Sequence, residues 1–552
     1  MNRPRKLSCV AAVALAALSG SVVLEQPVAA AELLPQPVTA GALPTPQTDG
    51  VVFTVAIAGN TAIAGGKFSK ARPAGVAPGG PGEVTRNNLL AFDVNTGELL
   101  PWAPVVSGST FAGTDPGPFC KSADGGRWIC DTVFRVKVSP DGRKVYVGGD
   151  FDKIDGQWRS RVAAFDSATG VLDPSFKPKV AGRVRGLSVT ADTVYLGGGF
   201  NAVDGVSRTR LAAVSVGTGA LLPWAPTADK EVYAVLAAPE QGRTVIGGAF
   251  GRVNGQNRHS LTAVDATSGA AVPWQWVTPS AEDTITDLAT DGTGTVYLSS
   301  YNWRGGNPRL EGRGAIDIAT GTPRWMDGCY GDTQSVAVAA GVLYSASHSH
   351  DCTAINALPD GGSLDYQRLL AETTVATGTA QRSVNHVRAG DPVPELLPWL
   401  PYTNGGPSNS PWLNGPWAVA ADDHYVVVGG EFTVVNGVAQ QSLTRFAARG
   451  VPGALNYGPQ VPFQAPDLSR RLFGGIVIEW TGTWDAQNSE IRYEVMRSGT
   501  ENPIYTTTSK AWPWTVSTMS FTDDQPPQGT VEYWIRAVDA DGAVLSTPRS
   551  SI

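Results

Sequence analysis

The stretch Val194-Tyr195-Leu196-Gly197-Gly198-Gly199-Phe200, running on to Asp204-Gly205, recurs along this chain at nearly constant spacing, and no other feature constrains the fold as strongly. Copies read Val145-Tyr146-Val147-Gly148-Gly149-Asp150-Phe151, Val245-Ile246-Gly247-Gly248-Ala249-Phe250 and Val427-Val428-Gly429-Gly430-Glu431-Phe432. An earlier copy, Ala62-Ile63-Ala64-Gly65-Gly66-Lys67-Phe68, keeps the Gly-Gly-x-Phe core. Phe151, Phe200 and Phe250 stand 49 and 50 residues apart. A period of about fifty residues marks one supersecondary unit repeated many times.

Within one period, residues 184–189 and 193–196 are short β-branched and aromatic runs on either side of Ala191-Asp192, which reads as a tight hairpin. Residues 210–215 read as a third strand, Gly217-Thr218-Gly219 turns, and 221–226 is a short extended segment. Pro223 and Pro226 suit that fourth strand to an outer edge, because proline cannot donate to a ladder. Four-stranded antiparallel units repeated in series are the pattern of a β-propeller. Copies with Ser in place of the glycine pair sit at Ser299 and Ser345, so Gly65, Gly148, Gly197, Gly247, Ser299, Ser345 and Gly429 anchor seven blades. The competing count adds an eighth, eroded blade within 353–401. Two long intervals, Gly65 to Gly148 and Ser345 to Gly429, hold Pro/Gly-rich stretches at 71–86, 105–128 and 404–416, which read as insertions at blade rims.

Length sets the number of domains and charge the class of partner. The 552 residues, 42% hydrophobic and 16% charged, can build an ample core and more than one domain. A formal charge of −7, with no basic run after the first six residues, excludes nucleic acid or an anionic membrane as main partner. Residues 1–31 have a positive start (Arg3, Arg5, Lys6), an apolar run and a small-residue end at Val28 to Ala31, so they read as a signal peptide. A retained membrane anchor is the alternative for that segment; no other segment is fit to span a bilayer. The expected location is secreted and extracellular, and the expected state a monomer. Setting Cys9 aside leaves Cys120, Cys130, Cys329 and Cys352, an even count that favours disulfides in an exported chain. Of three pairings, the sequence-local one, Cys120 with Cys130 and Cys329 with Cys352, is preferred.

The divisions are therefore 32–449 for the propeller, 450–468 for a Pro/Gly-rich linker and 469–552 for a second domain. There the period vanishes and alternating strands appear. Trp480, the Tyr493 to Arg497 run, and Tyr533 followed by Asp539 to Gly542 make this region resemble a fibronectin type III domain. The resemblance implies a spacer or adhesion module. The whole fold expected is all-β, a seven-bladed β-propeller followed by a fibronectin type III-like β-sandwich. The repeat units Tyr-x-Gly-Gly-x-Phe, Val-Asp/Asn-Gly and Arg-x-x-Leu-Ala-Ala over 41–449 also resemble the propeller repeats of secreted actinobacterial proteins of unassigned function. That likeness conveys no catalytic residue set.

Chemistry is sparse. Of five histidines, His348 and His350 lie two apart on an extended strand and point the same way; with Asp332 they are candidates for sharing acid–base work or ligating one metal. The competing reading is a polar, disulfide-braced loop at a blade rim. Asp166, Asp265 and Asp317 precede Thr/Gly turns and read as turn residues, with calcium as the competing use. Trp102, Trp224, Trp274, Trp325 and Trp399 recur at one repeat position and read as packing between blades. The non-repeated Trp303, Trp412 and Trp417 are the candidates for stacking on a sugar.

The function expected is an exported, non-catalytic binding or scaffold protein for a glycan or extracellular protein, with no cofactor. The alternative is an extracellular hydrolase or lyase, acting on polysaccharide around His348 and His350, with a divalent metal as the cofactor that pair would take. One further expectation concerns ring closure: Leu33 to Val38 resembles the fourth strand of the first repeat and is expected to supply the outer strand of the last blade, with 454–457 as competitor.

Overall fold

The computed structural model describes residues 34–302, 304–306, 308–360, 366–472 and 474–552. The signal peptide expected over 1–31, together with Leu33 and Trp303, lies outside them. The compact unit Pro35–Ile552 holds every element named below. It is all-β: among the described residues the only helical turns are two short 3-10 segments, Pro239–Gln241 and Thr353–Ile355.

Each repeat folds as an antiparallel sheet. The pattern is clearest in Val184–Val189, Thr193–Gly198 and Leu211–Ser215, which pair in that order. The innermost strands, one per sheet, are Val51–Ala58, Val133–Val138, Val184–Val189, Val232–Ala238, Thr284–Thr290, Thr333–Ala339 and Pro416–Ala421. Each packs beside the next, and Pro416–Ala421 packs beside Val51–Ala58, so the strands form a closed ring about a channel. This is a β-propeller. The serine-bearing copies, Thr295–Tyr301 and Val342–Ser349, occupy the second-strand position of their sheets as the period requires. The stretch 353–401 completes the sheet of Val342–Ser349, through Gln367–Thr373 and a bridge from Glu372 to Leu396.

The glycine pair has a packing reason. A Cβ on Gly197 would lie 2.7 Å from the Val232 side chain of the next sheet, and one on Gly198 would lie 2.1 Å from the Arg183 carbonyl oxygen. The first glycine lets neighbouring sheets approach, and the second lets the inner strand cross closely. The fourth strand is shorter than its sequence suggests. In most sheets it is a single bridge, such as Phe92 to Leu99, because the proline that follows ends the ladder; among the described residues only Pro323–Met326 forms a full fourth strand. The repeated tryptophans seal the joints: Trp224 Nε1 donates to the Asp265 carbonyl in the next sheet, and Trp325 Nε1 to that of Thr374.

Ring closure follows the expected plan with a shifted register. Thr39 N donates to the Ala447 carbonyl at 2.8 Å and Leu43 N to that of Arg445 at 2.9 Å, so 39–43, and not the described part of the expected segment, 34–38, lies along Leu443–Ala447. The competitor joins as well, since Gly41 N donates to Leu455 from the other side at 3.0 Å. Gly41 decides the register: a Cβ there would meet the Leu455 carbonyl oxygen at 2.0 Å. Val38 and Ala40 are buried, and Val38 N donates to the Tyr344 hydroxyl.

The C-terminal residues form two facing sheets, one of Asp467–Arg470, Ile476–Thr481 and Thr518–Asp523, the other built on Glu490–Arg497 and Glu532–Val538. Trp480, Tyr493 and Tyr533 are buried between them. This body is fastened to the ring. Leu400 N donates to the Ala486 carbonyl at 2.7 Å, Ala40 N to Gln487 Oε1 at 3.0 Å, and Arg449 pairs with Asp541 at 3.1 Å.

Two disulfides, Cys120–Cys130 and Cys329–Cys352, brace the ring as the sequence-local pairing expects. Beside the second, fully buried Arg313 bridges Asp327 and Glu372, each at 2.8 Å. Desolvation pushes both carboxyls upward, Glu372 to about 7.

Candidate functional site

Every inner strand is bulged near its start. The register slips between Val52 and Thr54, Val133 and Arg135, Val184 and Gly186, and Val232 and Ala234. It slips again between Ile285 and Asp287, Thr333 and Ser335, and Pro416 and Ala418. The extra residues are Phe53, Phe134, Arg185, Tyr233, Thr286, Gln334 and Trp417. A bulge re-aims a side chain away from the pleat. All seven line one cavity of about 420 Å³ at an end of the channel.

The rim comes from two of the expected insertions. The first delivers Phe119, immediately before the Cys120–Cys130 bridge; the second delivers Trp412. Each loop is tied to the variable residue of a Gly-Gly-x-Phe motif. Lys67 Nζ donates to the carbonyls of Pro118 and Cys120 at 2.7 and 2.8 Å. Glu431 accepts from Asn414 N at 2.9 Å and from the Ser410 hydroxyl, which in turn accepts from Trp412 N. Phe53, Phe119, Phe134, Trp412 and Trp417 then form a continuous aromatic wall, with Trp412 stacked on Phe119 at 5.5 Å and edge-on to Trp417 at 5.7 Å.

A cross-channel tie forms the floor. Arg135 reaches from the second sheet to Asp287 in the fifth at 2.8 Å, and also donates to the carbonyls of Arg185, Tyr233 and Thr286. Asp287 accepts from Ser335 on its other oxygen at 2.7 Å. The bulged backbones are thereby fixed by a buried, charge-assisted network. Farther along the same strands the channel continues, lined by residues such as Val55, Lys137 and Val419.

Beside the aromatic wall the cavity becomes polar. Arg185 lies with its guanidinium 4.4 Å from the Tyr233 ring centre, 4.9 Å from Phe134 and 5.2 Å from Phe119. Burial raises the phenols of Tyr233, to about 12, and of Tyr301, so both stay protonated near neutrality. Asp332 also lines the cavity; burial, reinforced by the charge of Glu311, pushes its carboxyl up to about 7.

The expected site residues fall as follows. Trp412 and Trp417 come together in the cavity wall. His348 Nε2 lies 4.0 Å from Asp332 Oδ2 and accepts from Asp332 N at 3.3 Å, which fixes that nitrogen as unprotonated. Burial holds His348 down at about 4. His350 faces the same way, both rings touching Tyr366, but stacks on Tyr330 and does not join Asp332. His348, His350 and Asp332 are therefore not brought together as one ligand set: among the described residues, the groups with ligand atoms close enough for one ion are Cys120, Cys130, Asp150 and Asp327, Cys329, Glu372. Both contain disulfide sulfur, which has no thiolate to offer a metal. Asp166 and Asp265 accept from the N–H groups and hydroxyls of the turns that follow them.

The seven bulge residues escape a reading by motif. The available signal is that, when the repeats are aligned, one column varies between Phe, Arg, Tyr, Thr, Gln and Trp, all large or polar, directly after a position that is Val in four repeats and Ile in a fifth.

Residues 140–176 match a family model described as a domain of unknown function (DUF5122) beta-propeller. The matched stretch covers Lys144–Gly149 and Val162–Asp166 of the second sheet. No curated protein matches the chain. Among solved structures, the beta-propeller domain of Myceliophteria thermophila Cps50 (Swd1) is similar over 73% of this chain and 98% of that one, at 9% identity and a TM-score of 0.38.

Proposed function

We propose that this chain is an exported, non-catalytic binding protein, a seven-bladed propeller with a fibronectin type III-like sandwich, whose channel mouth holds a sugar unit of a glycan. The carrying observation is the column of seven bulged residues. Blade packing needs the glycine pairs, the buried valines and the repeated tryptophans, and those recur; it does not need six kinds of side chain in one column, all lining one cavity. Their mixture suits a sugar: an aromatic wall for the apolar face of a ring, with Gln334 and the phenols of Tyr233 and Tyr301 for its hydroxyls. Two disulfides accord with an oxidising compartment. The sandwich, fastened through Ala486, Gln487 and Asp541, serves as a rigid foot and not a swinging spacer.

The hydrolase or lyase alternative needs a base in its proton-accepting form beside the ligand. Tyr233 and Tyr301 are held protonated and the imidazole of His348 is weakly basic, which leaves Asp332, raised to about 7, as the lining group able to act as base; among the described residues no second carboxylate lines the cavity beside it for the paired work of a glycosidase, so the binding reading is preferred. A glycan array probed with the full chain and with Trp417→Ala tests it. Binding lost in the variant is the expected result; an array with no binder, or binders indifferent to Trp417, overturns it. Release of unsaturated or reducing ends from a bound polysaccharide would establish the enzyme instead.

A further inference from the structure

Three charged side chains line the cavity: Arg135, Arg185 and Asp332. Arg135 is neutralised by Asp287 and serves the floor. Asp332, its carboxyl raised to about 7 by burial, carries only part of its charge near neutrality. Arg183, close by, is paired with Asp150 at 2.7 Å. Arg185 is different: among the described residues its guanidinium donates no hydrogen bond to the protein and makes no ion pair, although its neighbours Arg135 and Arg183 do both. Its contacts are the faces of three rings, which hold the plane of the guanidinium and leave its N–H edge unused.

A fixed guanidinium with unclaimed donors beside an apolar wall is a receptor for a planar oxyanion. Resting on the glycan reading above, we propose that the cavity selects an acidic sugar, a uronic acid whose carboxylate lies on the Arg185 guanidinium while its ring packs against Trp412 and Trp417. Charge balance favours a single negative charge. One unpaired cation meets one carboxylate, whereas a phosphate dianion would carry a second charge into a site with no other free cation among its lining residues. The fork geometry of arginine matches a carboxylate in two parallel hydrogen bonds. The tie from Arg135 to the Arg185 carbonyl, at 3.1 Å, holds the backbone at this bulge, so the receptor is formed before the ligand arrives.

The test is calorimetric titration of the full chain with oligogalacturonate and oligoglucuronate, with the same oligosaccharides after reduction of their carboxyl groups to alcohols, and with a sulfated neutral oligosaccharide. The acidic oligosaccharide is expected to bind at least tenfold more tightly than its reduced form, with affinity falling as salt rises. Arg185→Gln should close that gap, with the loss falling mainly on the acidic sugar; Trp412→Ala should weaken both. Arg185→Lys should recover only part of the gap, since it restores the charge without the fork. Equal binding of acidic and reduced sugars overturns the inference while leaving the glycan reading intact, and preference for the sulfated sugar overturns the carboxylate assignment alone. Absence of binding by any sugar, with unchanged thermal melts, overturns the reading on which the inference rests.

Discussion

Asp332 shows at the level of one residue how burial becomes a measurable pH effect. Its carboxyl is raised from 3.8 to about 7, so between those values the folded chain keeps a proton that the unfolded chain has released. Its contribution to stability therefore declines as pH rises through that window. The groups that face it are Glu311, which raises it, Arg309, which opposes the rise, and His348, neutral above about 4. Asp332→Asn removes the ionisation: its denaturation midpoint, measured in urea at several pH values, should match the parent in acid and exceed it increasingly up to about pH 7. A difference that does not change with pH would end this account. Individual residues were unevenly legible in the sequence. Trp412 and Trp417 stood out because they break the tryptophan pattern of the repeats. His348 and His350 stood out by type, yet their use depends on Tyr330 and Tyr366, whose placement no spacing reveals. Arg185 was invisible, since an arginine in a strand carries no mark of having no partner.

At the scale of elements, strand positions were readable because short apolar runs alternate with turn residues at a fixed period. The bulges were not, because a slip of register depends on what the neighbouring strand offers. The insertions were readable as interruptions and opaque as to purpose. The first of them illustrates how an element serves the site: exposed strands Thr110–Ala112, Lys121–Ala123 and Arg127–Ile129 make a small sheet outside the ring, and Cys120–Cys130 with Lys67 pins its base beside Phe119. Replacing both cysteines with serine should free Phe119 and weaken ligand binding by about tenfold, as expected when an aromatic anchor loses its fixed pose. The global melt should barely move, because the sheets of the ring do not depend on this loop. A large fall in melting temperature with unaltered affinity would reverse that assignment.

For the whole molecule, the decisive contact joins the two ends of the ring. A chain beginning at Pro44 lacks the 39–43 strand and the burial of Val38 and Leu43, worth about 3–6 kcal/mol at ~1.5–3 kcal/mol for each such side chain. Its melting temperature should fall by several degrees, and amide exchange along Leu443–Ala447 should accelerate first; an unchanged melt would assign the closing role to Leu455 alone. The same contact also sets an order in time. Thr39 bonds a residue 408 positions later, and at ~5–20 residues per second a ribosome needs roughly 20–80 s to supply that partner. For that interval the opening strand has no mate, and afterwards the last sheet waits with a bare edge. A neighbouring copy of the chain offers the identical strand, so at high concentration renaturation competes with exchange of 39–43 between molecules, and slow dilution is the regime in which each ring closes on itself.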